Sequence, residues 1–130
     1  MSTQTPIDRE LFLTALAERF PEITARISDV EAGLLHPEMS VVSAATRNAI
    51  EAGDWNAVAA HFKFVAEIFA GGNEAVRNAV CVSYLENVLL GETAVQFSTA
   101  RAMLPSVLSK AMVELEAHFE RLARASRNGA

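Results

Sequence analysis

The sequence predicts an all-α protein, a compact bundle of five to seven antiparallel helices. Apolar residues recur at helical spacing along most of the chain, and glycine or proline separates the successive stripes. Alternating segments beside hairpin turns, which would indicate strands, do not stand out. With 130 residues, 51% of them hydrophobic, the chain is long enough to bury a real core. We therefore expect one helical domain over residues 1–130, with flexible ends at 1–5 and 126–130.

The chain up to Gly33 predicts two helices. Thr5 is expected to cap the first, with Pro6 and Asp8 in its opening turn, and Pro21 should end or restart it. A short helix should follow and stop at Gly33. The apolar positions of that short helix are Ile23, Ile27 and Val30.

The middle of the chain gives the clearest helix boundaries. Pro37 should begin a helix that ends near Ala52, with Gly53 as a left-handed cap, and Asp54 should cap the next. That next helix has an apolar stripe at Val58, Phe62, Val65 and Phe69. The turn in AIEAGDWNAV also resembles the turns of helical-repeat hairpins, although no fixed period recurs.

The remaining helices follow from similar signals. Gly71-Gly72 should stop one helix, Asn73 should cap the next, and Gly91 should close it. A helix from about Thr93 to Met103 should end before Pro105. One face of the long final helix carries Leu108, Met112, Leu115, Phe119 and Leu122.

The segment NAVCVSYLENVLLG carries a narrow polar strip on an otherwise apolar helix. Helical spacing brings Ser83, Glu86 and Asn87 together, at i, i+3 and i+4. The strip has three possible placements: facing water, buried and paired, or lining a binding cleft. Because an unpaired buried carboxylate costs several kcal/mol, a dry and empty surrounding for Glu86 is excluded. The two structural alternatives are favoured over a ligand site.

A second candidate site lies at the entry to the helix that Pro37 begins. Pro37 holds His36 extended, so His36 is expected to cap the helix or to make a pH-sensitive contact. Candidate ligand or partner contacts are therefore His36, Glu38, Ser83, Tyr84, Glu86 and Asn87.

Several classes of function are disfavoured. The chain carries 11 lysines and arginines against 16 acidic residues, so its net charge of −5 repels nucleic acid. Arg121, Arg124 and Arg127 are expected to complement a helix dipole. The one cysteine, Cys81, lies among apolar residues and is expected to be a small core residue. Motifs for metal, cofactor or nucleophilic chemistry are missing, and so are a secretory signal and a membrane-spanning run. We expect a cytoplasmic, non-catalytic protein without metal or cofactor.

Three blocks, GLLHPEM (33–39), AIEAGD (49–54) and VSYLEN (82–87), resemble a family of uncharacterised bacterial all-helical domains. The resemblance runs from about Phe20 into the final helix. Some such proteins are associated with polymorphic toxin systems, so the resemblance implies an immunity-like, partner-binding role. It carries over no catalytic residue.

Three functional hypotheses follow. In the first, the chain binds another protein, as an acidic immunity-type partner of a basic toxin. In the second, it binds a small ligand or acts as an enzyme through the strip at Ser83, Glu86 and Asn87. In the third, it forms a homodimer through exposed apolar residues such as Met39 or Trp55.

Overall fold

A computed structural model describes residues 5–128 and confirms the all-α fold class. Its helices are α1 (Arg9–Arg19), α2 (Pro21–Thr24), α3 (Leu35–Ala52), α4 (Trp55–Gly71), α5 (Glu74–Ala79), α6 (Glu86–Val88), α7 (Val95–Ala102) and α8 (Ser106–Asn128). A π-helical segment, Val80–Leu85, joins α5 to α6. Over residues 5–128, no helix is both long enough and apolar enough to cross a bilayer.

The first helix starts later than predicted because Ile7 pairs with the end of α4. The Ile7 N–H donates to the Gly71 carbonyl (2.7 Å), and the Asn73 N–H donates to the Ile7 carbonyl (2.9 Å). This bridge holds Ile7 outside the helix, so Asp8 is the N-cap and its side chain accepts from the Leu11 N–H. The expected cap at Thr5, with Pro6 in the first turn, is wrong.

The chain between α2 and α3 is a series of turns, not the short helix predicted to reach Val30. The helix ends at Thr24, and the Val30 side chain is 82% exposed. The Glu31 carboxylate accepts hydrogen bonds from both the N–H and the hydroxyl of Ser28. Such local side-chain bonds compete with the helical backbone pattern and favour a turn.

In the middle of the chain the predicted end of α3 and the caps of α4 and α5 are confirmed, but the predicted start of α3 is wrong. The helix begins at Leu35 with Leu34 as its N-cap, so His36 is helical and is neither extended nor a cap; Pro37 is tolerated because the first turn of a helix needs no N–H donor there.

Helix α3 ends at Ala52, and Gly53 follows with φ of 70°, the left-handed conformation in which glycine is favoured. Asp54 caps α4 and Asn73 caps α5, each by accepting a backbone N–H three residues later. All four residues of the α4 stripe are buried: Val58, Phe62, Val65 and Phe69.

The π-helical segment lies at the centre of the bundle. It packs against α3 and α8, and its Val80, Tyr84 and Leu85 side chains are completely buried. After the segment, the Glu86 N–H donates to the Cys81 carbonyl, five residues back instead of the usual four. Residues on either side of it therefore do not keep the face relations of one uninterrupted α-helix.

The structure corrects two predictions, the dimer contact at Met39 and the flexible C-terminal end from residue 126. Met39 is 0% exposed and belongs to the hydrophobic core, so it is not available for the predicted dimer contact; Trp55 is partly buried. Helix α8 continues through Asn128, so residues 126–128 are helical. The other predicted flexible positions, apart from Thr5, lie outside the described residues.

Candidate functional site

An open cleft of about 670 Å³ runs beside the first half of α3. Its α3 residues recur every three or four positions and therefore share one helix face. Pro37, Val41 and Ala44 provide small apolar surface, while Arg26 and Glu31 come from the turns before α3. The lining residues are Arg26, Glu31, His36, Pro37, Ser40, Val41, Ala44 and Asn48.

His36, at the edge of this cleft, contacts the π-helical segment. Its Nδ1 lies 2.7 Å from the Ser83 hydroxyl oxygen, a hydrogen bond between residues 47 positions apart. Ser83 is only 6% exposed, whereas His36 is partly buried and lines the cleft. The structure thus joins the two candidate regions that the sequence identified separately.

Asn87 makes a second link between the same elements. Its side-chain amide donates to the Ser83 carbonyl (2.9 Å) and to the Ser40 hydroxyl (3.4 Å). Ser40 lines the cleft one turn after His36. Ser83 and Asn87 therefore hydrogen-bond two polar side chains of the cleft lining, His36 and Ser40.

Glu38 is buried away from the cleft and forms an ion pair with Arg9, whose side chain is 36% exposed. It is 2% exposed, and Arg9 donates to both of its carboxylate oxygens at 2.7 Å. The Gly33 N–H donates to the same carboxylate (3.0 Å). Burial raises the pKa of Glu38, but the bonds from Arg9 and Gly33 and the Arg9 charge outweigh it and hold that pKa below its ordinary value. Glu38 thus fixes the starts of α1 and α3 together.

Tyr84 points into the core, where it belongs to a buried polar cluster. The Thr46 hydroxyl lies 2.9 Å from the Tyr84 hydroxyl and 3.0 Å from Nδ1 of His61. All three contacts of that hydroxyl are satisfied if it donates to the Val42 carbonyl (3.3 Å) and accepts from Tyr84 and His61. Burial raises the pKa of Tyr84, so its phenol stays protonated and donates.

Glu86 does not take part in the hydrogen bonds that Ser83 and Asn87 make. Its side chain is partly buried and makes no hydrogen bond or ion pair with the residues described, 5–128. It is also not among the residues that line the α3 cleft.

Three contributors to this region carry no signal in the sequence. Arg26 and Asn48 line the cleft, but each stands alone in a segment without a motif. Arg47 joins α3 to the later helices: its guanidinium donates to the Asn87 carbonyl (2.9 Å) and lies 4.8 Å from the centre of the Phe97 ring. These contacts link positions at least 40 residues apart, so no local spacing reveals them.

Three observations describe the chemistry of the polar and nucleophilic groups in this region. Within residues 5–128, no group of three or more histidine, cysteine or acidic side chains could hold a metal ion. His36 and Ser83 have the spacing of a base and a hydroxyl nucleophile, but the hydroxyl is nearly inaccessible to a substrate. Burial raises the pKa of Cys81, which keeps its thiol protonated and poorly nucleophilic.

The chain belongs to the family described as Domain of unknown function (DUF7674), whose model matches residues 13–120. The match covers α2 to α7, most of α1 and the first two-thirds of α8. A search of curated proteins and a search of solved structures each gave no match.

Removing the Thr46 hydroxyl should destabilise the fold. Thr46→Val leaves the Tyr84 hydroxyl and the His61 Nδ1 buried without their partner, which should lower the free energy of unfolding by about 1–3 kcal/mol. Urea denaturation measures the change. Thr99→Val is the matched control, because Thr99 also donates to the carbonyl four residues back but is exposed. Equal effects of the two substitutions would contradict the role assigned to Thr46.

His61 should make stability fall in mild acid. Burial is the largest influence on the pKa of His61 and lowers it, so the folded protein binds this proton less tightly than the unfolded chain. The free energy of unfolding should therefore decrease as the pH falls below about 6.5, the ordinary histidine value. Denaturation between pH 7.5 and 5 should show less decrease in His61→Gln than in the wild type. His118→Gln, at an exposed position, should keep the wild-type dependence.

Proposed function

We propose that this protein is a non-catalytic binding domain that holds a basic protein partner in the α3 cleft. The observation that carries the proposal is the cleft itself, an open space of about 670 Å³ with apolar surface from Pro37, Val41 and Ala44. Its openness suits a segment of another protein, which can insert an apolar side chain while the rest of the partner stays outside.

The charge of the chain defines the chemistry of the partner. The net charge is −5, and the segment leading to the cleft carries Glu22, Asp29 and Glu31 against Arg26. A cationic surface would therefore be attracted to this side of the molecule, and the attraction would speed association at low salt. The expected contact is an apolar side chain of the partner flanked by lysines or arginines.

The particular form of this proposal is an immunity-type role in the cytoplasm, in which the chain binds and neutralises a basic toxin. It is supported by the acidic charge and by the resemblance of the three sequence blocks to domains associated with polymorphic toxin systems. His36 and Asn48, at the polar edges of the cleft, would supply directional hydrogen bonds to the toxin.

Filling the cleft should abolish partner binding without unfolding the protein. Ala44 is exposed and lines the cleft, so Ala44→Arg places a long cationic side chain where the partner would sit. Affinity capture from native lysate, quantified by mass spectrometry, should recover one stoichiometric protein with the wild type and at least tenfold less with this variant. Raising the salt concentration should also release it.

Ala60→Arg is the matched control, because Ala60 is exposed on α4 outside the cleft and the change in charge is the same. It should retain the partner. Capture of the same protein by Ala44→Arg and by the wild type would contradict the proposal. For the immunity role, the captured protein should inhibit growth when expressed alone, and co-expression of the wild type, but not of Ala44→Arg, should restore growth.

The volume of the cleft and the His36–Ser83 contact also favour a second candidate function, the binding of a small ligand. Ligand pockets commonly enclose about 300–1,000 Å³, and His36 presents its ring at the edge of this one. A compound that occupies the cleft should raise the melting temperature of the wild type and of Ala60→Arg but not that of Ala44→Arg. A thermal-shift screen measures this, and an equal shift in all three proteins would exclude the cleft.

A further inference from the structure

A second cavity, of about 340 Å³, lies beside the second half of α3. The end of α2 and the beginning of α4 form its other sides. Arg26 and Asn48 line both this cavity and the α3 cleft, so the two spaces are continuous along α3. The joined space is here called the extended cleft.

The α3 residues that line the extended cleft form two adjacent rows on the surface of the helix. Residues four positions apart make one such row, and a row of side chains from a second helix can pack into the space between two of them. The first row is His36, Ser40, Ala44, Asn48 and Ala52, and the second is Pro37, Val41, Ala45 and Ala49. Apart from His36 and Asn48, these residues are alanine, serine, proline or valine, so another helix can approach α3 closely.

His61 offers a hydrogen-bond acceptor on the lining of the second cavity. Its side chain is more than nine-tenths buried, and its Nδ1–H donates to the Thr46 hydroxyl (3.0 Å) in the arrangement that satisfies Thr46. Because a neutral imidazole carries one N–H, the other nitrogen, Nε2, is then an acceptor. Nε2 makes no hydrogen bond with any of residues 5–128. Burial lowers the pKa of His61, which keeps the ring neutral and this acceptor available.

The charged groups around this nitrogen favour a cationic donor. Glu22 and Asp54 line the second cavity with His61, and neither makes an ion pair with a residue in the described part of the chain. Both charges favour the protonated form of His61, which shows that they act at its ring, although burial outweighs them. Glu31 lines the other end of the extended cleft, and Arg26 is the one lysine or arginine among its described lining residues.

We propose that the occupant of the extended cleft is a basic amphipathic helix of the protein partner. The inference rests on the proposed function and names the structure of the partner segment. The apolar face of that helix packs between the two rows of α3, and one of its lysines or arginines donates to His61 Nε2 beside Glu22 and Asp54. The rows run from His36 to Ala52, about 24 Å at the helical rise, which corresponds to about four turns of the partner helix.

The same charges disfavour the other possible occupants. A second copy of this chain would bring a net charge of −5 to a cleft whose lining is itself acidic. Anionic lipid headgroups would be repelled in the same way. A basic helix is attracted instead, and it supplies the N–H donor that His61 Nε2 lacks.

Ala52→Arg tests whether the partner reaches the second cavity. Ala52 is exposed, lines the second cavity but not the α3 cleft, and ends α3, where an arginine suits the helix dipole. This variant should recover about tenfold less partner from native lysate than the wild type, whereas Ala60→Arg should retain the partner. Loss of the partner in Ala44→Arg but not in Ala52→Arg would overturn this inference and leave the proposed function standing. Retention by both variants would overturn both.

Two synthetic peptides of about 15 residues test the helical form of the occupant. The first carries leucines at helical spacing, with lysines and alanines on its other face. The second has a proline in place of one central alanine, which breaks the helix without changing the charge. Fluorescence anisotropy should show binding to the wild type that is about tenfold tighter for the first peptide. Equal binding of the two peptides, or no binding of the first, would overturn the inference.

Charge-removing variants test the end of the cleft at His61 with the first peptide. Glu22→Gln combined with Asp54→Asn should weaken binding about fivefold, and asparagine at position 54 still caps α4. Glu10→Gln combined with Glu18→Gln is the matched control, because it removes the same charge from exposed positions on α1. Equal losses in the two double variants would contradict the inference. So would a wild type that dimerises in sedimentation equilibrium and becomes monomeric in Ala52→Arg, since the cleft would then hold a second copy.

Discussion

The hydroxyl of Thr46 is the contact on which the central packing depends. It lies on α3 and bonds to His61 on α4 and to Tyr84 in the π-helical segment, so three elements meet at one oxygen atom. Thr46 and Tyr84 are completely buried, and water cannot replace the bonds if the elements shift. Apolar packing alone allows several similar arrangements of the helices. Few of those arrangements would let all three polar side chains of this cluster form their hydrogen bonds. The same arrangement turns Ser83, next to Tyr84, toward His36 and so shapes the wall of the α3 cleft.

The sequence predicts those parts of the fold that local chemistry determines. Asp54, Asn73 and Gly53 act within one turn of their own helices, and the α4 stripe follows directly from helical periodicity. One error arises where a distant residue decides, and the other where a local side-chain bond overrides the apolar periodicity. Ile7 is held outside α1 by backbone bonds to the end of α4, more than 60 residues away. Between Thr24 and Leu35, the Glu31 side chain bonds Ser28 and replaces the periodic pattern by turns.

The candidate site is predicted in part, for the same reason. Spacing on one helix predicts that Asn87 lies near Ser83, and the structure shows a hydrogen bond between them. The sequence also singles out His36 near the start of α3, and the structure places its ring against Ser83. That His36 and Ser83 touch depends on how α3 packs on the π-helical segment, which no pattern in the sequence records. Glu38 was singled out for its position, but its role comes from Arg9 at the start of another helix. Two of the residues that line the cleft, Arg26 and Asn48, belong to no motif.

The π-helical segment has a consequence for the whole second half of the chain. The six residues of the segment form a wider turn than an α-helix would. The direction in which the chain leaves the segment after Leu85 depends on that turn. Recoiling the segment as α-helix, with no residue removed, would rotate the downstream chain by about 100°. That rotation would move Phe97 away from the Arg47 guanidinium and change the position of α7 in the bundle. The orientation of the later helices about the bundle therefore depends on this one irregular turn.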